Sequence, residues 1–515
     1  MSQKSPLALV IDFGTQSVRV GAVNLKGEIV ALVKKSYDPV YISNGPGLAE
    51  QDANFYWSRF CEAAKDFSTN HANLYDDVVG ITLTSFRDTT VLLDSTLKPI
   101  RPAIHWLDQR LAKPEKERLP LLKRFLFKVA GMENTLIFNR QRTVALWYQQ
   151  NEPENWAKTF RYASMSSFMH LKLTGNLSDS PSSYTGHYPI DYKRGEWYKN
   201  SKPLKNIFEI PNSILPELTP SGKEIGRITK ETSELTGIPV GISVYASGSD
   251  KSCEALGLGS LKSNIGCISY GTACTISTTN SKYHEPEPFL PAYPSCVPGY
   301  YNMEVQIYRG YWMLSWFIKE FAKTEVDEAA IQHLVVEEIL NKKIVDIPPG
   351  CNGLVLQPFW GAGLRRPTAR GSIVGFNDSH TKIHLYRAIL EGIAFALRDG
   401  LESIEKSQKE RVNELRISGG GSQSDVICQI TADIFGRPVS RVQTFETSTL
   451  GGAISLFTST GHFASPEKAI SAMSHPTQTF TPNPEAREKY EYLYRHVYKK
   501  LYGKLKGMYT DIKDF

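Results

Sequence analysis

Apolar and polar positions near the start of the chain predict a β-meander: strands at 7–11, 18–23 and 29–34, separated by turns at Gly14-Thr15 and Leu25-Lys26-Gly27. The same plan returns from Leu261 onward, with strands at 265–270 and 275–279 around a Gly271-Thr272 turn. Two strand, Gly-Thr, strand units predict a duplicated α/β domain with a cleft between the copies. The run Ala255-Leu-Gly-Leu-Gly-Ser-Leu-Lys262 marks the boundary, giving units at 1–257 and 258–515. Between these landmarks the pattern predicts a helix over 51–67 and a buried strand over 78–83. A long helix is expected over 383–404, where Ile389, Ile393, Ala396, Leu397, Leu401 and Ile404 share a stripe. A further helix is expected over 426–435, and an amphipathic one at the C-terminus carries Tyr490, Tyr494, Val497 and Leu501 on one face. The proline-rich stretch 284–298 reads as a loop beside the second turn.

Length and composition narrow the class. At 515 residues the chain exceeds one ordinary core and suits two domains of about 250 residues each. With 41% hydrophobic and 22% charged residues it reads as globular, without a run apolar enough to span a bilayer and without a signal-peptide core, so a cytoplasmic address is expected. The seven cysteines contain no Cys-x-x-Cys pair and read as reduced packing thiols. A net charge of +6, with the lysines near the C-terminus on the polar face of a helix, gives no nucleic-acid signature; a homodimer stays open.

The chemistry concentrates at three glycine-bearing turns and one aspartate. Asp250 follows Ala246-Ser247-Gly248-Ser249 at the expected tip of a strand, the seat of a general base facing a substrate hydroxyl. Gly14-Thr15-Gln16 and Gly271-Thr272 would bring backbone N–H groups and hydroxyls to phosphate oxygens, although such a turn is also an ordinary hairpin. Asp12 is the right type of residue at a strand end to hold Mg²⁺ through water, with Asp250 a second candidate for that ion. Ile417-Ser-Gly-Gly-Gly-Ser-Gln-Ser-Asp425 joins a strand to a helix; Gly420, Gly421, Ser422 and Asp425 would let a flat ring or sugar lie against the backbone.

No Walker sequence or protein-kinase signature is present. The ordered set Asp12-Phe-Gly-Thr15, Gly47 to Asp52, Trp106-Leu-Asp-Gln-Arg110, Asp250, Ser269-Tyr-Gly-Thr272, Pro367-Thr-Ala-Arg-Gly371, Gly419 to Ser422 and Ala432 to Val439 resembles the FGGY carbohydrate kinases across nearly the whole chain. That resemblance implies two actin-like, ribonuclease-H-like domains with an interdomain catalytic cleft, and transfer of the ATP γ-phosphate to a hydroxyl of a small sugar. It makes Asp250 the base, places adenosine at the glycine-rich turn, and puts Trp106 and Asp108 on the sugar side. Arg87-Asp88 falls where glycerol kinases carry Arg-Glu and xylulose kinases Met-His. An Arg–carboxylate pair there would serve two vicinal hydroxyls, or form a structural ion pair. Lys251 departs from the Gln or Asn of those relatives. It would face the acceptor or turn away to a surface acid. The expected acceptor is a ketopentose or related keto sugar; glycerol or another polyol is the alternative, and a non-catalytic sugar sensor a second one.

Overall fold

The computed structural model describes residues 5–113, 125, 128–129, 133–199, 207–288, 290–361, 363, 366 and 368–512, so Pro367 of the 367–371 motif lies outside the described residues. Two mixed sheets dominate it. The first is built from β1 (Leu7–Phe13), β2 (Ser17–Asn24), β3 (Ile29–Ser36), β4 (Val78–Ser85), β5 (Glu224–Arg227) and β6 (Ser243–Ser249), in the order β3-β2-β1-β4-β6-β5. β1 to β3 form the antiparallel meander, β4 pairs parallel to β1 and β6 parallel to β4.

The second sheet uses β7 (Ile265–Tyr270), β8 (Cys274–Asn280), β9 (Tyr293–Pro294), β10 (Tyr301–Ile307), β11 (Glu414–Gly419), β12 (Val439–Val442) and β13 (Pro476–Phe480). Its order is β9-β10-β8-β7-β11-β12-β13. Without β9, β10-β8-β7-β11-β12-β13 repeats the first sheet strand for strand: an antiparallel meander, two parallel strands, and an antiparallel edge. The internal echo in the sequence is therefore a repeated strand arrangement, with the edge strand inserted before the last parallel strand in the first unit and after it in the second. Stretch 284–298 is not wholly irregular, because β9 pairs with β10 and holds Tyr293 opposite Asn302.

Helices cover the sheets with the residues their periodicity selects. α1 (Ala53–His71) starts two residues later than expected because Gln51 is still extended and Asp52 caps the helix, its side chain accepting from Asn54 N at 2.9 Å. It buries Tyr56, Phe60, Ala64 and Phe67 in the core of the first sheet. α2 (Asp250–Gly257) leaves the end of β6, α3 (Lys382–Gln408) crosses the second core through Ile389, Ile393, Leu397 and Ile404, and α4 (Asp425–Phe435) follows the glycine-rich turn.

The helix α5 (Thr447–Ser459), far along the second half, packs on β1 and β4 of the first sheet and against α2. The approach of α2 and α5 is close enough to require glycine: a Cβ on Gly451 would sit 1.7 Å from Cys253 O, and one on Gly257 1.9 Å from Thr447 O. A division at 257/258 is thus crossed by a helix of the second half, and the stretch expected as the break is locked at its start by this pair. All seven cysteines are free thiols. Among the described residues no helix is long and apolar enough to cross a membrane.

Candidate active site

A cleft of about 1190 Å³ runs between the two sheets and is lined by residues of both halves. It is large enough for two small molecules at once. Asp250 lies on its wall, directly after the end of a strand as expected: β6 ends at Ser249, whose hydroxyl accepts from Ser252 N at 3.3 Å and caps α2, so Asp250 is also the first residue of the helix. Its Oδ1 accepts from Lys251 N at 2.8 Å. Burial raises the Asp250 pKa above the ordinary carboxylate value, with Lys251 and Arg87 opposing the shift. A carboxylate so placed is a stronger proton acceptor than one in water.

The Gly14-Thr15-Gln16 turn, expected to hold phosphate, follows directly from β1. Gly14 N donates to Ser17 O at 3.0 Å to close it, Gly14, Thr15 and Gln16 line the cleft, and Thr15 Oγ1 accepts from Trp106 Nε1 at 3.2 Å. Asp12, on β1, is buried at 4% exposure. Its Oδ2 lies 3.4 Å from Arg19 Nη1, whereas Oδ1 is buried without a partner. Burial raises the Asp12 pKa to about 7; Arg19 works against this and Asp250 adds to it.

On the second sheet, Gly271 O and Thr272 O accept from Tyr311 N at 3.1 Å and Trp312 N at 3.3 Å, which anchors the turn while leaving both residues on the cleft wall. Gly419 has φ +79°, and a Cβ there would meet Tyr270 O at 2.4 Å. A Cβ on Gly421 would meet the Tyr311 hydroxyl at 2.2 Å, whereas one on Gly420 would enter open space. Gly420 and Gly421 thus form a bare backbone ledge on the cleft. Ser422 and Asp425 do not line it. Ser422 is buried with its hydroxyl donating to Gly419 O at 2.7 Å, and Asp425 is exposed and pairs with Arg441 at 2.6 Å.

Arg87 and Asp88 follow β4 and both line the cleft, yet they do not pair with each other. Arg87 Nη2 meets Glu304 Oε1 of β10 at 2.6 Å, and its guanidinium lies 5.5 Å from the centre of the Tyr293 ring. Asp88, held at φ +60°, sets Oδ2 2.9 Å from His187 Nδ1. Burial acts against its ionisation, but His187 and Arg87 outweigh it and lower the pKa. A non-glycine residue in the left-handed region is the kind of strain that a site retains. Trp106 and Asp108 also line the cleft; both Asp108 oxygens are engaged by the protein, Oδ2 by Ala49 N at 2.7 Å and Oδ1 by Arg110 Nε at 2.7 Å.

Lys251 meets no surface acid. Its Nζ donates to Glu254 Oε2 at 2.8 Å and to Ser269 Oγ at 2.6 Å, and Glu254 Oε1 accepts from the hydroxyls of Ser269 at 2.8 Å and Ser418 at 2.5 Å. Burial disfavours the ammonium, but Glu254 and Asp250 more than compensate and raise its pKa. The sequence signals Glu254 only as an i, i+3 partner of Lys251. Glu304, Tyr293 and Ser418 reach the site or its network from the second half, which no local pattern reveals.

The chain matches the FGGY family of carbohydrate kinases in two blocks, the N-terminal domain over residues 7–257 and the C-terminal domain over 266–459. It is 28% identical over 484 residues to an uncharacterized sugar kinase of Escherichia coli (94% of this chain, 90% of the relative), and 29% identical over 493 residues to a xylulose kinase of Lactococcus lactis (95% of each). Its fold is similar to that of xylulose kinase from Rhodospirillum rubrum, with a TM-score of 0.78 at 24% identity over 98% of this chain and 100% of that one. Gluconate kinase from Lactobacillus acidophilus gives a TM-score of 0.78 at 20% identity, covering 98% and 99%. With its repeated sheets, its cleft and family matches along most of its length, this protein belongs to the FGGY family of carbohydrate kinases and is a sugar kinase that uses ATP.

Proposed function

We propose that the protein transfers the γ-phosphoryl group of ATP to a hydroxyl of a neutral keto sugar, a ketopentose or close relative, with Asp250 as general base. The observation that carries this reading is the position of Asp250: a half-buried carboxylate at a helix start on a cleft that also exposes Gly14-Thr15, Gly271-Thr272 and Gly420-Gly421. The relatives named xylulose kinase support the choice of sugar.

The acceptor would lie by Arg87, Asp88 and Trp106 of the first unit, 1–257, with Lys251 beside the base. The nucleotide would lie along the second, 258–515, its adenosine against Gly420-Gly421 and its phosphates between the two Gly-Thr turns. Asp250 takes the hydroxyl proton as the new P–O bond forms and the bond to the ADP oxygen breaks. Phosphoryl transfer passes through a loose transition state, so positioning and charge neutralisation supply most of the rate, with the base adding about 10²–10⁴-fold.

The residues present fit Mg²⁺. Asp12 keeps a buried oxygen without a partner near a second carboxylate, so Asp12 through water, with Asp250 as a further ligand, would hold the ion. When bound, it supplies positive charge to the phosphate oxygens.

Arg87 and Asp88 do not form a structural ion pair with each other, since their partners are Glu304 and His187; both line the cleft, and a glycerol-type acceptor served by the two side chains stays the alternative. Coupled ADP-release assays across ketoses, polyols and sugar acids test the reading. A ketopentose should give the highest kcat/KM; a leading polyol, or no acceptor-dependent ADP release, would overturn it.

A further inference from the structure

Glu304 belongs to the second half yet reaches the guanidinium of Arg87 in the first. Both side chains are largely buried, at 11% exposure for Arg87 and 7% for Glu304, and both line the cleft that holds Asp250. The Arg87 guanidinium is the natural receptor for a carboxylate on this side of the cleft, because its fork matches two carboxylate oxygens. Here one arm of that fork, Nη2, is taken by the protein's own carboxylate, while the Tyr293 ring covers a face. The other cation beside the base, Lys251, is likewise held by Glu254.

We propose that Glu304 is a specificity-determining residue of the acceptor site, which occupies Arg87 and so selects neutral polyhydroxy sugars over sugar carboxylates. The inference rests on the sugar-kinase reading above and adds the charge class of the acceptor. A neutral sugar can donate a hydroxyl proton to Glu304 Oε2 and accept from the remaining Arg87 N–H groups without disturbing the pair. A sugar acid must either displace Glu304 or sit beside it, and in both cases one buried carboxylate is left without its cation. Specificity of this kind comes from the repulsive element as much as from the attractive one.

The test is Glu304→Gln, which keeps shape and removes charge, assayed with D-xylulose and D-gluconate as acceptors. The gluconate-to-xylulose ratio of kcat/KM should rise at least tenfold, mostly through a lower KM for gluconate. A proportional loss with both acceptors would overturn the inference and make Glu304 a latch between the halves. Wild-type inhibition supplies a measurement that needs no variant: gluconate should inhibit xylulose turnover at least tenfold more weakly than the neutral hexitol sorbitol, and equal inhibition would overturn the inference. If wild type turns over xylulose and the ratio does not move, only the role of Glu304 falls. If wild type phosphorylates no neutral sugar, the acceptor reading falls and takes this one with it.

Discussion

Lys251 Nζ lies 2.6 Å from Ser269 Oγ, so the lysine next to Asp250 reaches the strand that leads into the Gly271-Thr272 turn. With Glu254 neutralising it, Lys251 tunes Asp250 and ties α2 to β7. Removing its charge takes away the leading electrostatic opponent of the burial-driven rise in the Asp250 pKa and leaves Glu254 unpaired, and both changes push that pKa further up. A base with a higher pKa is protonated at a higher pH. Lys251→Gln should therefore shift the acidic limb of the kcat/KM profile upward while acceptor ranking stays as in wild type. A limb that does not move would mean the lysine is not coupled to the base.

Asp250→Asn changes little volume and removes the proton acceptor. Turnover should fall by at least about a hundredfold, while ATP affinity measured by calorimetry stays nearly that of wild type. Near-normal turnover would remove Asp250 from its role.

The bare ledge gives a prediction that separates nucleotide contact from folding. A Cβ at Gly420 meets open space in the protein, and at Gly271 it would only touch Ala273 O at 3.4 Å. Neither should disturb the fold, yet each should raise KM for ATP roughly tenfold or more by clashing with bound nucleotide, with sugar binding still measurable. Gly421→Val is the contrast, because its side chain would collide with Tyr311 and lower the melting temperature. Unchanged KM for ATP in both Gly420→Val and Gly271→Val would move the nucleotide elsewhere.

Much of this site was legible in the chain because its turns are local. The meander around Gly14 and the 383–404 stripe reappear as β1 to β3 and α3, since strand alternation and helical periodicity decide those elements within a few residues. Asp250 stands at the strand end that its small residues predict, but the helix it opens is not legible from Ser247-Gly248-Ser249, which has no helical periodicity; the signal for that start is the Ser249 cap. Adjacency to the glycines draws Ser422 and Asp425 toward the cleft in a reading of the sequence, but the turn folds Ser422 inward and leaves Asp425 at the surface with Arg441. Glu304 with Arg87, and α5 on β1, are pairings between distant segments. Long-range contact, not local pattern, creates them.

Asp12 couples the site to stability with a sign opposite to that of most aspartates. Its pKa is 3.8 ordinarily and about 7 when folded, so the folded state binds the proton more tightly than the unfolded chain does. Folding is then favoured by this group below the unfolded value, and that contribution is lost as pH rises through the folded one. In metal-free protein at pH 8 the buried carboxylate is a liability on the order of a few kcal/mol, which Asp12→Asn relieves. The variant should melt at a higher temperature than wild type at pH 8, with the advantage disappearing near pH 4, while its turnover with ATP and sugar falls. Adding Mg²⁺ with ATP should stabilise wild type more than the variant. Equal melting temperatures at pH 8 would show that Asp12 is already compensated without a cation and would remove the reason for placing one there.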